Sequence, residues 1–148
     1  MDTELVARLR AVIPRLARVL NDTSTGEDLT PTQYSVLGLV RVRGPLGLTE
    51  LTELEGLNPT MLSRVVKVLD ERGLIRRMQD PGDLRAARVA VTPEGARIHD
   101  RVRAQRNQVL SDCLHGLPPD TTAALLAAVP DLEALAGALK PPAKPAKG

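Results

Sequence analysis

Residues 80–95, "DPGDLRAARVAVTPEG", decide how this chain folds. Asp80 and Asp83 frame a Pro-Gly pair, and each of these residue types favours a tight turn. Proline presets its φ, glycine accepts left-handed backbone, and aspartate bonds to nearby main chain. The flanking runs "LIRRMQ" (74–79) and "AARVAVT" (86–92) have the length and composition of short strands. The stretch therefore predicts a β-hairpin, its turn shaped by Asp80, Gly82 and Asp83, with Arg85 at the turn and Arg88 beyond it. Thr92 then caps a helix with Pro93 at its first position and Glu94 against the positive helix end, running to about His115-Gly116.

Upstream of the hairpin lie two short helices. Leu48 to Glu55 is predicted helical with Gly56 as its stop, and Asn58-Pro59 opens the next by an N-cap followed by proline. In that second helix Leu62, Val65, Val66 and Leu69 fall at i, i+3, i+4 and i+7, a continuous apolar stripe, and Gly73 closes it. Two helices joined by so short a turn make a helix-turn-helix, and the hairpin behind them is its wing.

The remaining elements surround this unit. Thr30-Pro31 starts a helix running to about Arg43, which buries Tyr34, Leu37 and either Val40 or Leu39, and "GPLG" (44–47) ends it. Residues 3–20 carry Leu5, Leu9, Val12, Ile13 and Leu16 at helical spacing, with a kink or break expected near Ile13 because of Pro14. "NDTSTGED" (21–28) reads as a loop. "LPPDTTAALLAAVPDLEALAGAL" (117–139) reads as a last helix kinked near Pro130, and 140–148 as a disordered basic tail. The expected fold is mainly α with a small β-hairpin. A single domain spans 1–139, with a winged core at 29–95 and flanking helices at 3–20 and 93–139.

Composition narrows the partners. The 148 residues are 43% hydrophobic and 26% charged, ordinary for a globular chain, and no run approaches the roughly 20 apolar residues of a membrane span. Asp2 and Glu4 precede the first apolar run, the wrong polarity for a secretory signal. The single cysteine, Cys113, cannot form an internal disulfide, and a reducing cytoplasm is the expected compartment. Net charge is +2, but 57–106 holds eleven Arg/Lys against six acids, whereas 107–139 holds four acids and no Arg or Lys. A basic middle suits a polyanion. An arginine-rich composition without that meaning is the plain alternative.

Opposite the apolar stripe of the 58–72 helix, Thr60, Ser63, Arg64 and Lys67 share a face at spacings of three and four. Small hydroxyls and cations are what a helix needs in a major groove about 12 Å wide, where they meet base edges and phosphates. An ordinary solvated helix face carries the same residue types. The hairpin tips the balance, since Arg85 and Arg88 extend a basic arm beside this helix, and an arginine at a wing tip suits a narrow minor groove. Asp83 can pair with a nearby arginine to hold the tip, although turn formation alone accounts for both aspartates.

"LTPTQYSVLGLV" (29–40), "LTELTELEGLNPTMLSRVVKVLDERGLIRR" (48–77) and the opening stretch together resemble the MarR family of winged-helix transcription regulators, over about residues 29–95. The Asp-x-x-Asp-x-Arg wing followed by Thr-Pro-x-Gly is the specific part of that likeness. The resemblance implies that Thr60, Ser63, Arg64 and Lys67 lie on a recognition helix and that Arg85 is a wing-tip arginine. Leu84 departs from the charged residue many relatives carry, which implies a weaker wing grip, and Arg64 has bracing of helix against wing as a second role. It also implies a homodimer built from the first and last two helices, and a double-stranded, pseudo-palindromic operator. A repressor released by a small-molecule effector is the implied mode of action. The apolar flanking helices suit a dimer on their own account, since a monomer leaves them exposed.

Other classes fit less well. Cys113 and His115 are two apart on a helix and do not face each other, no phosphate-binding glycine loop is present, and two histidines with one cysteine make a poor metal set. No enzyme, cofactor or metal is expected. Two alternatives stay open: a winged-helix module that binds protein, and a redox sensor acting through Cys113. Against the second, Val109, Leu110, Leu114 and Leu117 around the cysteine predict a buried core thiol.

Overall fold

The computed structural model describes residues 1–22 and 29–139, with the side chains of Asp80, Asp83, Leu84 and Arg85 outside that description. The predicted loop at 21–28 lies, from residue 23, outside the described residues, as does the tail at 140–148. The chain forms two compact units, Met1–Gln108 and Val109–Gly148, whose boundary falls within one helix.

Helices α1 (Thr3–Asn21) and α2 (Pro31–Arg43) are followed by a two-residue strand β1 (Leu46–Gly47), then α3 (Leu48–Glu55) and α4 (Pro59–Glu71). The hairpin strands β2 (Ile75–Asp80) and β3 (Asp83–Val91) lead into α5 (Pro93–His115), and α6 (Pro119–Ala127) and α7 (Val129–Ala138) complete the chain. The sheet is antiparallel in the order β1-β3-β2. This is a winged helix: mainly α, with a small sheet as the wing.

Capping explains where the central helices begin. The Thr30 hydroxyl accepts from Gln33 N at 3.1 Å while Gln33 Oε1 accepts from Thr30 N at 3.1 Å, a reciprocal capping box. Asn58 Oδ1 accepts from Met61 N at 2.8 Å. The core of the first unit is contributed by Val36, Leu37 and Val40 of α2, Leu51 of α3 and the whole predicted stripe of α4. Leu46 of β1, Leu74, Ile75 and Val89 of the wing and Ile98 and Val102 of α5 complete it. Tyr34 and Leu39 pack only partly against this core, and Val36 is buried in their place.

The Thr-Pro-x-Gly motif proves to be a junction. Thr92 Oγ1 accepts from Gly95 N at 3.0 Å and donates to Gly73 O at 2.6 Å, while Thr92 N donates to Leu74 O at 3.1 Å. One threonine thereby ties the end of α4, the root of the wing and the start of α5. Glycine is required at 95 because its Cα lies against the Leu74 backbone, where a Cβ would come within 1.9 Å of the carbonyl oxygen.

One expectation is corrected and two are refined. Helix α1 runs unbroken through Pro14, since losing one backbone bond costs a local distortion that a 19-residue helix can span. "GPLG" does more than stop α2: Gly44 turns the chain with φ +81°, and Leu46–Gly47 then pairs with Val89 and Arg88. The last helix is two helices meeting at 40°, broken at Ala128, with Pro130 accommodated in the first turn of α7. Among the described residues, no single helix is long and apolar enough to cross a membrane.

Candidate nucleic-acid interface

Helix α4 is divided cleanly. Leu62, Val65, Val66 and Leu69 are buried, and Thr60, Ser63, Arg64 and Lys67 are all exposed on the opposite side. The turn before it contains Gly56, in the left-handed conformation at φ +65°, which lets α3 and α4 meet within three residues. Lys67 Nζ lies 3.9 Å from Glu71 Oε1, one turn on, with both side chains more than 60% exposed. Such a long, solvated pair holds its lysine weakly, and Lys67 can exchange Glu71 for a phosphate.

The wing registers from Ile75↔Val91 to Gln79↔Ala87 and then jumps to Asp80↔Asp83. Between those last two pairs β2 contributes no residue and β3 contributes three, Leu84, Arg85 and Ala86. The irregularity puts Arg85 in a bulged segment beside the Pro81–Gly82 turn. The backbone at 80–85 thus follows the predicted hairpin, while the side-chain roles assigned to Asp80, Asp83 and Arg85 lie outside the described residues.

Arg88 sits elsewhere. It pairs with Met78 and Gly47 in the middle of the sheet, is half-buried, and donates from Nη2 to Pro45 O at 3.0 Å. One edge of its guanidinium braces the loop entering β1. Arg76 and Arg77 on β2 are exposed and add cations to the wing. Both lie within the basic span 57–106 and outside the predicted site residues.

A second cluster, missed in the sequence, joins α2 to the first half of α5. The Tyr34 and His99 rings stack at 5.0 Å with 15° between planes, and the Arg106 guanidinium lies 4.2 Å from the centre of the Tyr34 ring. His99, buried, approaches Asp100 Oδ1 through Nδ1 at 3.2 Å, and Arg41 Nη2 bonds Asp100 Oδ2 at 3.0 Å. Hydrogen bonds from Arg41 first, and then from His99, hold the Asp100 carboxyl below the usual aspartate range. A cavity of about 480 Å³ opens beside this cluster, lined by Arg41, Val42, His99, Asp100, Arg103, Ala104 and Asn107. On α5 itself Glu94 is lowered in the same sense by its ion pair with Arg97.

Cys113 is exposed, against the expectation of a core thiol. Val109, Leu110 and Leu117 are also about 41% exposed, so the apolar neighbours that suggested burial are themselves uncovered in the chain. No group of three or more His, Cys, Asp or Glu side chains able to hold a metal occurs among the described residues.

Fold and exposed α4 face together define a winged helix-turn-helix protein. The MarR family model matches residues 29–87. Over those residues the chain is similar to the MarR family. It is 32% identical over 93 residues to the multiple antibiotic resistance protein MarR of Salmonella typhimurium, a match covering 63% of this chain and 65% of that one. It therefore spans just under two thirds of that curated relative. Wild-type MarR from E. coli in its apo form superposes with a TM-score of 0.75 at 25% identity, over 85% of this chain and 94% of that structure. A cysteine-to-serine mutant of the same protein, crystallised with operator DNA, gives a TM-score of 0.65 at 25% identity, over 86% and 92%.

Proposed function

We propose that this protein is a sequence-specific, double-stranded DNA-binding transcriptional regulator, a repressor that occupies a pseudo-palindromic operator as a homodimer. The observation that carries the reading is α4: a capped helix whose buried stripe anchors it and whose free face presents Thr60, Ser63, Arg64 and Lys67. In this reading the helix enters a major groove, Ser63 and Thr60 meet base edges or phosphates, and Arg64 and Lys67 supply charge. Arg85, from the bulged wing, reaches the adjoining minor groove, joined by Arg76 and Arg77 at the phosphates. The MarR relative crystallised on operator DNA supports the same reading.

The homodimer is supported by apolar surface. Among the described residues, none on α1 is buried, although Leu5, Leu9, Val12, Ile13 and Leu16 form one face with exposures of 40–56%. In the second unit Leu125, Leu126, Val129 and Leu132 are 42–55% exposed with no Lys or Arg nearby in sequence to solubilise them. A second copy is the economical cover. An effector that releases the DNA belongs to the proposal too, and the charged α2–α5 cavity is its candidate seat.

Binding to random-sequence duplex, followed through a salt series, tests the proposal. A site neutralised by Lys and Arg loses affinity linearly in log salt, with a slope of about −0.9 per phosphate contacted. A steep slope, and enrichment of one sequence over bulk DNA, are expected. A shallow slope with no enrichment would turn the reading toward a protein-binding winged helix.

A further inference from the structure

The free face of α4 is not wholly polar. Met61, in the first turn, is 48% exposed and takes no part in the packing of the core, unlike Leu57 just before the helix. Its place is fixed, because its own N–H donates to the Asn58 cap at 2.8 Å. Thr60 precedes it and Arg64 follows one turn on, both exposed. A merely solvated face gains nothing from a methionine there, since its thioether stem would be better buried. A DNA-facing helix does gain. The thymine C5-methyl is the apolar group displayed in the major groove, and first-turn residues of a recognition helix are those that reach base edges. Met is unbranched and polarisable and adapts to such a small target.

We propose that Met61 reads a thymine methyl in each half-site, making this residue a determinant of sequence preference that charge and hydroxyls alone do not supply. The inference rests on the DNA-binding reading. The cations Arg64 and Lys67 on the same face favour DNA over a protein partner for the exposed methionine.

Thymines of the duplex selected by the wild-type protein are replaced singly by deoxyuridine, which removes only the methyl group. One position per half-site should weaken binding about fourfold, the worth of one buried methyl-sized group, and replacing both symmetry-related thymines should weaken it about sixteenfold. In Met61→Ala, confirmed folded by circular dichroism, those same replacements should have no effect, and Met61→Leu should restore sensitivity. A duplex bound tightly by the wild type but indifferent to every deoxyuridine overturns the assignment while leaving DNA binding intact. Equal sensitivity in wild type and Met61→Ala overturns it too. Failure to select any duplex instead removes the DNA-binding reading, and this inference with it.

Discussion

Among the described glycines, Gly95 leaves the least room for a Cβ, so its replacement by alanine is the sharpest test of the fold. On the present backbone the new Cβ would stand 1.9 Å from Leu74 O, 2.8 Å from Leu74 C and 3.0 Å from Val91 Cγ2. Reaching even a 3.0 Å contact with the carbonyl oxygen requires a shift of about 1.1 Å, and overpacking of this kind costs about 1–3 kcal/mol. The obstacle is main chain at the wing's root, not a flexible side-chain end, so the upper part of that range applies. The displaced carbonyl also accepts from Thr92 N at 3.1 Å, and weakening that bond adds about 1 kcal/mol. Better helix propensity returns roughly 1 kcal/mol. The net loss is about 3 kcal/mol, or a fall in Tm of about 6–12 °C for a chain of this size. Urea unfolding followed by far-UV circular dichroism, at one fixed protein concentration, measures it. Gly137→Ala is the control, since nothing lies within 4 Å of its Cβ, and it should match or exceed wild-type stability. A Gly95→Ala midpoint equal to wild type would refute the junction described for Thr92–Gly95.

Three further outcomes are expected. Arg85→Ala should flatten the salt slope of DNA binding by about one unit while shifting stability by less than about 0.5 kcal/mol; an unchanged slope in the folded variant would mean the wing does not touch DNA. Asp100→Asn should change the acid limb of stability: a carboxyl lowered by Arg41 and His99 contributes fully above the ordinary aspartate pKa of about 3.9, and that contribution is lost as pH falls through its lower folded-state value. The wild type's advantage should thus be flat from pH 6 to 8 and shrink below about pH 4, and parallel acid limbs would count against the Arg41–Asp100–His99 contacts. Leu9→Glu with Leu16→Glu should convert the dimer to a particle of 15.9 kDa by light scattering; a wild type already of that mass would remove the homodimer.

Local signals made much of this fold readable. The α4 stripe, the Thr30 and Asn58 caps and the Pro-Gly turn each act through neighbours a few residues away, and each is found where its chemistry predicts. The features that escaped depend on distant partners. Strand β1 has only two residues and exists because Val89 and Arg88 arrive beside it from another part of the chain. Arg88 was legible as a cation of the wing, but its bond to Pro45 O spans 43 residues, which no spacing rule anticipates. The Tyr34–His99–Arg106 stack and the Arg41–Asp100 pair join positions about 60 residues apart. Cys113 shows the opposite failure, since apolar neighbours in sequence imply burial only when something covers them. Met61 was passed over because apolar residues in helices are by default read as core, and only its exposure distinguishes it.

Cleavage from a tethered reagent tests the central claim most directly. With Cys113→Ser removing the native thiol, a cysteine introduced by Ser63→Cys carries an iron chelate that cuts DNA within its reach. The account predicts two clusters of cuts on the bound operator, symmetric about its centre and about 10 base pairs, or ~34 Å, apart, with none when the reagent is given to Cys113→Ser protein that carries no cysteine. Operator still bound by the labelled protein but cut no more than by the cysteine-free control would contradict the placement of α4 in the groove.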